Sequence, residues 1–235
     1  MPPPKTIYRF HVENLREVDR GLERIGRQLR RSLGERDDSS ASALTKVYAL
    51  ALAVKVECRL NKLMYEPNVT QPDRNVLIAV DSQLDRWYSA VDLGMRKHWV
   101  AKGDDLSELT LGHDTFARYQ TLRSVIGQDL RPLIELRNKL AHGQWVFPLS
   151  QSNEIAKEQK AALENEHALS LGLKSRLLDS FADVVHDLVV SRKAFEGSFE
   201  RRYRSMLKVR QELAERRFDH FVAKLRTKRK RDQRP

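Results

Sequence analysis

Apolar residues recur at spacings of three and four through most of this chain, and almost nowhere do they alternate with polar ones over the length of a strand. Val12, Leu15, Val18, Leu22, Ile25 and Leu29 form one such stripe, and Leu77, Val80, Leu84, Trp87, Tyr88, Val91 and Met95 form another. A 3.6-residue period puts positions so spaced on one face of a helix, whereas one face of a sheet needs a period of two. The pattern predicts an all-α protein.

Glycine, proline and polar clusters cut this pattern into segments. A first amphipathic helix is expected from about His11 to Leu33, ended by Gly34 and the polar stretch Glu35 to Ser40. A second, from about Ser42 to Tyr65, is apolar on most sides between Val47 and Val54, as suits a helix at the centre of a bundle, and Pro67 and Pro72 close it. A third runs from about Asp73 to Val100 and stops at Lys102-Gly103-Asp104-Asp105. A fourth helical region opens near Asp114, is interrupted around Gly127, and restarts with Asp129 as N-cap and Pro132 in the first turn, where a missing N–H does little harm. That helix carries Leu133, Leu136 and Leu140 inward. Trp145-Val146-Phe147-Pro148 reads as extended, Ser150 to Ala168 is ambiguous, and Leu171 to Val190 is helical. A long basic helix then follows from about Ser191 to Leu225, its stripe of Phe195, Phe199, Tyr203, Met206, Leu213, Phe221 and Leu225 being a packing face. The resulting organisation is a helical domain over 1–190 with an N-terminal extension helix, the basic helix over 191–223, and a basic tail over 224–235 expected to be disordered.

Charge narrows the partners. With 43 Lys and Arg against 32 Asp and Glu, the formal net charge is +11, which calls for an acidic partner, either nucleic acid or an anionic surface. Seven of the twelve residues from Lys224 to Pro235 are basic and only Asp232 is acidic. This tail is either a solvated end or a set of phosphate contacts to RNA made by Lys224, Arg226, Lys228, Arg229, Lys230 and Arg231. The lone Cys58 excludes an internal disulfide and a multi-cysteine zinc cluster. The opening Met1-Pro2-Pro3-Pro4-Lys5 lacks the apolar core of a signal peptide, and the apolar run from Val47 to Val54 is far too short to span a bilayer. A soluble cytoplasmic protein with no membrane partner is the expectation.

One short motif carries chemistry. Arg137-Asn138-Lys139-Leu140-Ala141-His142 is followed at once by Gly143. Arginine is a fixed fork of donors suited to phosphate, and histidine is the side chain whose ordinary pKa lets it give or take a proton near neutrality. Gly143 is a candidate C-cap, which places His142 in the last turn of a helix. At 3.6 residues per turn Arg137 and His142 point about 140° apart. Either the helix frays at His142, or the working site combines residues of two chains. Glu57 continues the apolar face of the second helix; it either buttresses an arginine of the site or is an ordinary edge position. The other six histidines lack metal-ligand spacing, and no phosphate-binding glycine loop, zincin motif or serine-hydrolase elbow is present, so no metal and no cofactor is expected.

The arginine, four residues, histidine pattern, with a polar residue after the arginine, resembles the signature of HEPN-superfamily ribonucleases. It rests on Arg137, Asn138, His142 and Gly143, with the helical pattern of roughly residues 40–190 behind it. The resemblance implies a HEPN-like helical bundle, a two-fold homodimer joining two copies of the motif, and metal-independent RNA cleavage in toxin-antitoxin or phage-defence systems, with an antitoxin or defence partner. Arg137 would bind the scissile phosphate, His142 would act as general base or acid, and Asn138 would orient either. In one subgroup a tyrosine two residues after the histidine is adenylylated; Gln144 stands there, so that form of silencing is not expected. Two alternatives remain open: a non-catalytic HEPN module that binds RNA or nucleotide or serves as a partner subunit, and a helical scaffold working through its basic C-terminal helix.

Overall fold

A computed structural model describes residues 2–101 and 104–232, apart from the side chains of Lys230 and Asp232. Lys102, Gly103 and Arg234 thus lie outside the described residues. The protein is all-α: among the described residues the sole β-type pairing is an isolated bridge between Leu149 and Ile155. The helices are α1 (Pro4–Glu35), α2 (Asp38–Met64), α3 (Gln71–Ile78), α4 (Gln83–Trp99), α5 (Glu108–Leu111), α6 (His113–Val125), α7 (Arg131–Ala141), α8 (Lys157–Asn165), α9 (Ala168–Val190), α10 (Arg192–Glu215) and α11 (Phe218–Asp232). No helix among these residues is long and apolar enough to cross a membrane.

The bundle is organised around α2 and α9. Between Ala49 and Met64, α2 buries Leu52, Ala53, Val56 and Leu60, and it packs against α1, α7 and α9. Helix α9 buries residues on most of its circumference, including Phe181, Val184, Val185 and Leu188, and is clasped by α10 and α4. Trp87 of α4 meets Phe181 with ring centroids 5.2 Å apart. The crossing of α4 over α9 requires Gly94, where an added Cβ would stand 2.6 Å from Leu188 Cγ. Each fully buried Leu, Val or Phe contributes about 1.5–3 kcal/mol, so the helix that carries the motif is fixed chiefly by Leu133, Leu136 and Leu140.

Several boundaries differ from expectation, for local reasons. Helix α1 begins at Pro4, passes through Gly34 and ends where Arg36 turns left-handed at φ 64°. The expected third helix is two: α3 stops after Ile78, and α4 restarts where the Ser82 side chain accepts the Asp85 N–H at 3.0 Å. The interruption near Gly127 is not a break. Residues Ile126–Leu130 form a π turn joining α6 to α7, in which the Arg131 N–H reaches back to the Ile126 carbonyl. The wider turn accommodates Pro132, which brings no N–H and whose ring would crowd the carbonyl four residues earlier. Asp129 is therefore not an N-cap; its carboxylate accepts from Arg210 of α10.

The C-terminal reading needs the largest correction. The basic helix does not continue to Leu225 but stops at Glu215, and Arg216 is extended. The stretch expected to be disordered is, through Asp232, part of α11. No glycine or proline forces the break. Val222 enters a small second core with Leu29, Leu33 and Ala41, against which Phe218, Phe221 and Leu225 also pack. Burial of that stripe, which a straight helix would leave in water, is the physical reason for the turn.

Candidate functional site

Helix α7 brings the motif to the surface and ends within it. Ala141 is the last helical residue, His142 caps at φ −91° and ψ 18°, and Gly143 is left-handed at φ 75°. The Gln144 N–H bonds the Lys139 carbonyl at 3.0 Å and the Gly143 N–H bonds the Leu140 carbonyl at 3.1 Å. This is the paired closure of a Schellman motif, in which a left-handed glycine satisfies carbonyls that have no partner inside the helix. The glycine C-cap is where the sequence put it.

Arg137 is half-buried one and a half turns earlier. Its Nη2 donates to Glu57 Oε2 at 2.9 Å and its Nη1 to Asn138 Oδ1 at 3.1 Å. Glu57 thus takes the buttressing role left open by the sequence. Two of five guanidinium N–H donors are spent on aiming the group, and three remain for a ligand. Asn138 orients the arginine; its backbone carbonyl accepts the His142 backbone N–H at 3.2 Å, but among the described residues no side-chain hydrogen bond joins Arg137 or Asn138 to the His142 imidazole, which is exposed. Cys58, next to Glu57, is a poor nucleophile: burial, followed by the charges of Glu57 and Asp19, pushes its thiol up from the ordinary value.

The loop after the motif is braced in ways its sequence did not announce. The Trp145 indole N–H donates to the Leu140 carbonyl at 2.9 Å, and Gln144 Oε1 accepts the Leu149 N–H at 2.8 Å. Lys139, inside the motif, donates to the Leu149 carbonyl. The Trp145 and Lys139 bonds tie this loop to α7, and the Gln144 bond closes the loop on itself. Lys139 and Gln144 are therefore structural, and nothing in the linear pattern distinguishes them from solvent-facing residues.

Of the six basic side chains proposed for RNA, two serve to dock α11. Arg226 Nε donates to the Leu33 carbonyl at 3.3 Å, and Arg229 pairs with Glu35 at the end of α1. Lys224, Lys228 and Arg231 are exposed, at spacings of four and three that set them on one outward face. The side chain of Lys230 lies outside the described residues. Among those residues no group of three or more His, Cys, Asp or Glu side chains is placed to hold a metal ion.

Compared with protein-family models, with curated protein sequences and with solved structures, the chain matches none.

Proposed function

We propose that this protein is a HEPN-like, metal-independent endoribonuclease in which Arg137 and His142 cleave RNA by internal attack of a 2′-hydroxyl. The observation that carries the reading is the arginine anchored by Glu57 and Asn138 in the last turns of α7, with an exposed histidine at the end of the same helix. The free N–H groups of Arg137 bind the phosphate and stabilise the charge that builds on it. A neutral His142 takes the 2′-hydroxyl proton as that oxygen bonds to phosphorus, and a protonated histidine gives a proton to the departing 5′-oxygen. The products are a 2′,3′-cyclic phosphate and a free 5′-hydroxyl.

Because Arg137 and His142 do not meet within one chain, the proposal includes a two-fold dimer whose groove holds both copies of the motif and lets the two histidines divide the base and acid roles. Closed two-fold dimers are the commonest oligomers. Lys224, Lys228 and Arg231 add phosphate contacts. A cytoplasmic role in a toxin-antitoxin or phage-defence system, with an antitoxin or defence partner, is part of the same reading, supported by the motif's resemblance. The test is RNA incubated with the protein in excess EDTA. Cleavage is expected; binding without cleavage makes the protein a non-catalytic RNA module, and neither makes it a scaffold.

A further inference from the structure

Beside the loop that follows Gly143 lies a cleft of about 360 Å³ that the cleavage chemistry leaves unused. Its lining comes from segments far apart in the chain: Ser42 and Lys46 of α2, Trp145 of the loop, Glu164 of α8, and His167 and Phe218 at the starts of α9 and α11. That volume falls in the range of about 300–1,000 Å³ that holds small organic ligands.

The walls are flat and the polar groups are fixed. Phe218 lies on the His167 ring with centroids 4.2 Å apart and planes 10° apart, and Trp145 is oriented by its bond to Leu140. His167 Nδ1 accepts the Ser170 N–H at 3.0 Å, so the proton of the neutral ring sits on Nε2. Burial holds this imidazole below its ordinary pKa. The Nε2–H is thus a fixed donor, with no protein acceptor among the described residues. Among the described residues Lys46 makes no ion pair, while Glu164, paired with Lys160 at 2.9 Å, brings a carboxylate.

Aromatic walls with both donors and acceptors suit a nucleobase, which has two flat faces and a polar edge. A lipid chain would use none of these polar groups, and an inorganic oxyanion would meet the carboxylates of Asp38, Glu164 and Glu166. Guanine makes the fullest use of the set: its O6 and N7 accept from lysine and imidazole, and its N1–H and amino group donate to a carboxylate. The cleft also adjoins both elements of the proposed RNA-binding surface, the loop after the motif and α11. Trp145 follows His142 by three residues, and Phe218 begins the helix that carries Lys224, Lys228 and Arg231.

We infer that this cleft is a base-recognition subsite that seats a guanine of the RNA close to the bond to be cut. The inference deepens the ribonuclease reading and rests on it. Its test uses no cleavage: saturation-transfer NMR and calorimetry of the full chain with GMP, AMP, CMP and UMP. GMP should bind at least tenfold more tightly than UMP or CMP. Ser42→Trp, at an exposed helical position on the rim, should abolish that binding by filling the cleft. His167→Ser, which keeps a capping oxygen for the Ser170 N–H but removes the Nε2–H donor together with the ring stacked on Phe218, should weaken it at least fivefold while the chain stays folded. GMP binding no tighter than UMP, or unchanged in Ser42→Trp, would overturn the inference. Cleavage of RNA without mononucleotide selectivity would remove the subsite and leave the ribonuclease standing. Selective GMP binding lost in Ser42→Trp, with no RNA cleaved, would keep a guanine site and remove the ribonuclease.

Discussion

Glu57→Gln separates positioning from stability at the motif. The substitution removes the charge facing Arg137 while keeping the side chain's size and one carbonyl acceptor. The pair spans 2.9 Å with side chains 31% and 38% exposed, so solvent screens it and its net worth is that of a surface ion pair, about 0.5–1 kcal/mol. In a chain of 235 residues that loss lowers the melting temperature by roughly 1–4 °C. Activity should fall further than stability. The guanidinium is aimed by two bonds, to Glu57 and Asn138, and a misplacement on the order of 1 Å at a reacting centre costs about 10²-fold. Since glutamine retains an acceptor, kcat should fall roughly tenfold. RNA affinity should hold or rise slightly, because the arginine's charge is less neutralised. Single-turnover cleavage of end-labelled RNA, fluorescence anisotropy and thermal melting read the three quantities. An unchanged kcat would refute the positioning role. A melting temperature lowered by about 10 °C, well beyond what a screened pair accounts for, with RNA binding lost as well, would show that Glu57 holds the bundle together rather than the arginine.

Three other expectations follow from particular side chains. Burial alone would raise the Glu66 pKa, but hydrogen bonds from His186 at 3.0 Å and Lys62 at 2.6 Å outweigh it and bring the carboxyl down to about 2. A folded pKa below the unfolded 4.5 contributes stability that is full above that value and lost as pH falls through about 2, worth about 3 kcal/mol at most. Urea unfolding of Glu66→Gln should therefore show most of this loss at pH 7 and much less at pH 3; equal losses at both would contradict it. On α11, reversing Lys224, Lys228 and Arg231 to glutamate should cut the salt slope of RNA binding by about 2 units, roughly 0.7 per contact, with melting unchanged. Arg226→Ala with Arg229→Ala should instead lower melting by undocking α11, and the opposite assignment of effects would refute the division. Gly143→Ala meets nothing within 4 Å, so its cost is backbone strain at φ 75°, about 1 kcal/mol. Cleavage should fall along with melting, and a neutral effect on both would mean that the cap does not place His142.

Periodicity made the helical class readable, because a 3.6-residue apolar stripe has few other ways to be buried. The glycine C-cap after His142 was equally local: one residue type fits the left-handed position that a Schellman closure needs. What was not legible depends on distant partners. The α10–α11 break has no breaker residue and follows from burial of Phe218 and Val222 against α1 and α2. Pro132 in the sequence signals a fresh helix start, but a π turn absorbs it without the chain leaving the helix. Glu57 was visible as a carboxylate on an apolar face, but its pairing with Arg137 spans 80 residues of sequence and only the packing of α2 on α7 decides it. Arg226 and Arg229 look the same as Lys224 and Lys228 in the chain; the carbonyl of Leu33 and the carboxylate of Glu35 tell them apart.

The central claim is tested most directly by one cleavage experiment in excess EDTA, comparing an all-RNA substrate with the same strand carrying a single 2′-deoxy substitution at the cut site, for the wild type and His142→Ala. The account predicts a 2′,3′-cyclic phosphate from the all-RNA strand, no cut at the deoxy position, and a loss of roughly 10²–10⁴-fold in His142→Ala with RNA affinity little changed. Wild-type rates in His142→Ala, or cleavage at the position that lacks the 2′-hydroxyl, would contradict it.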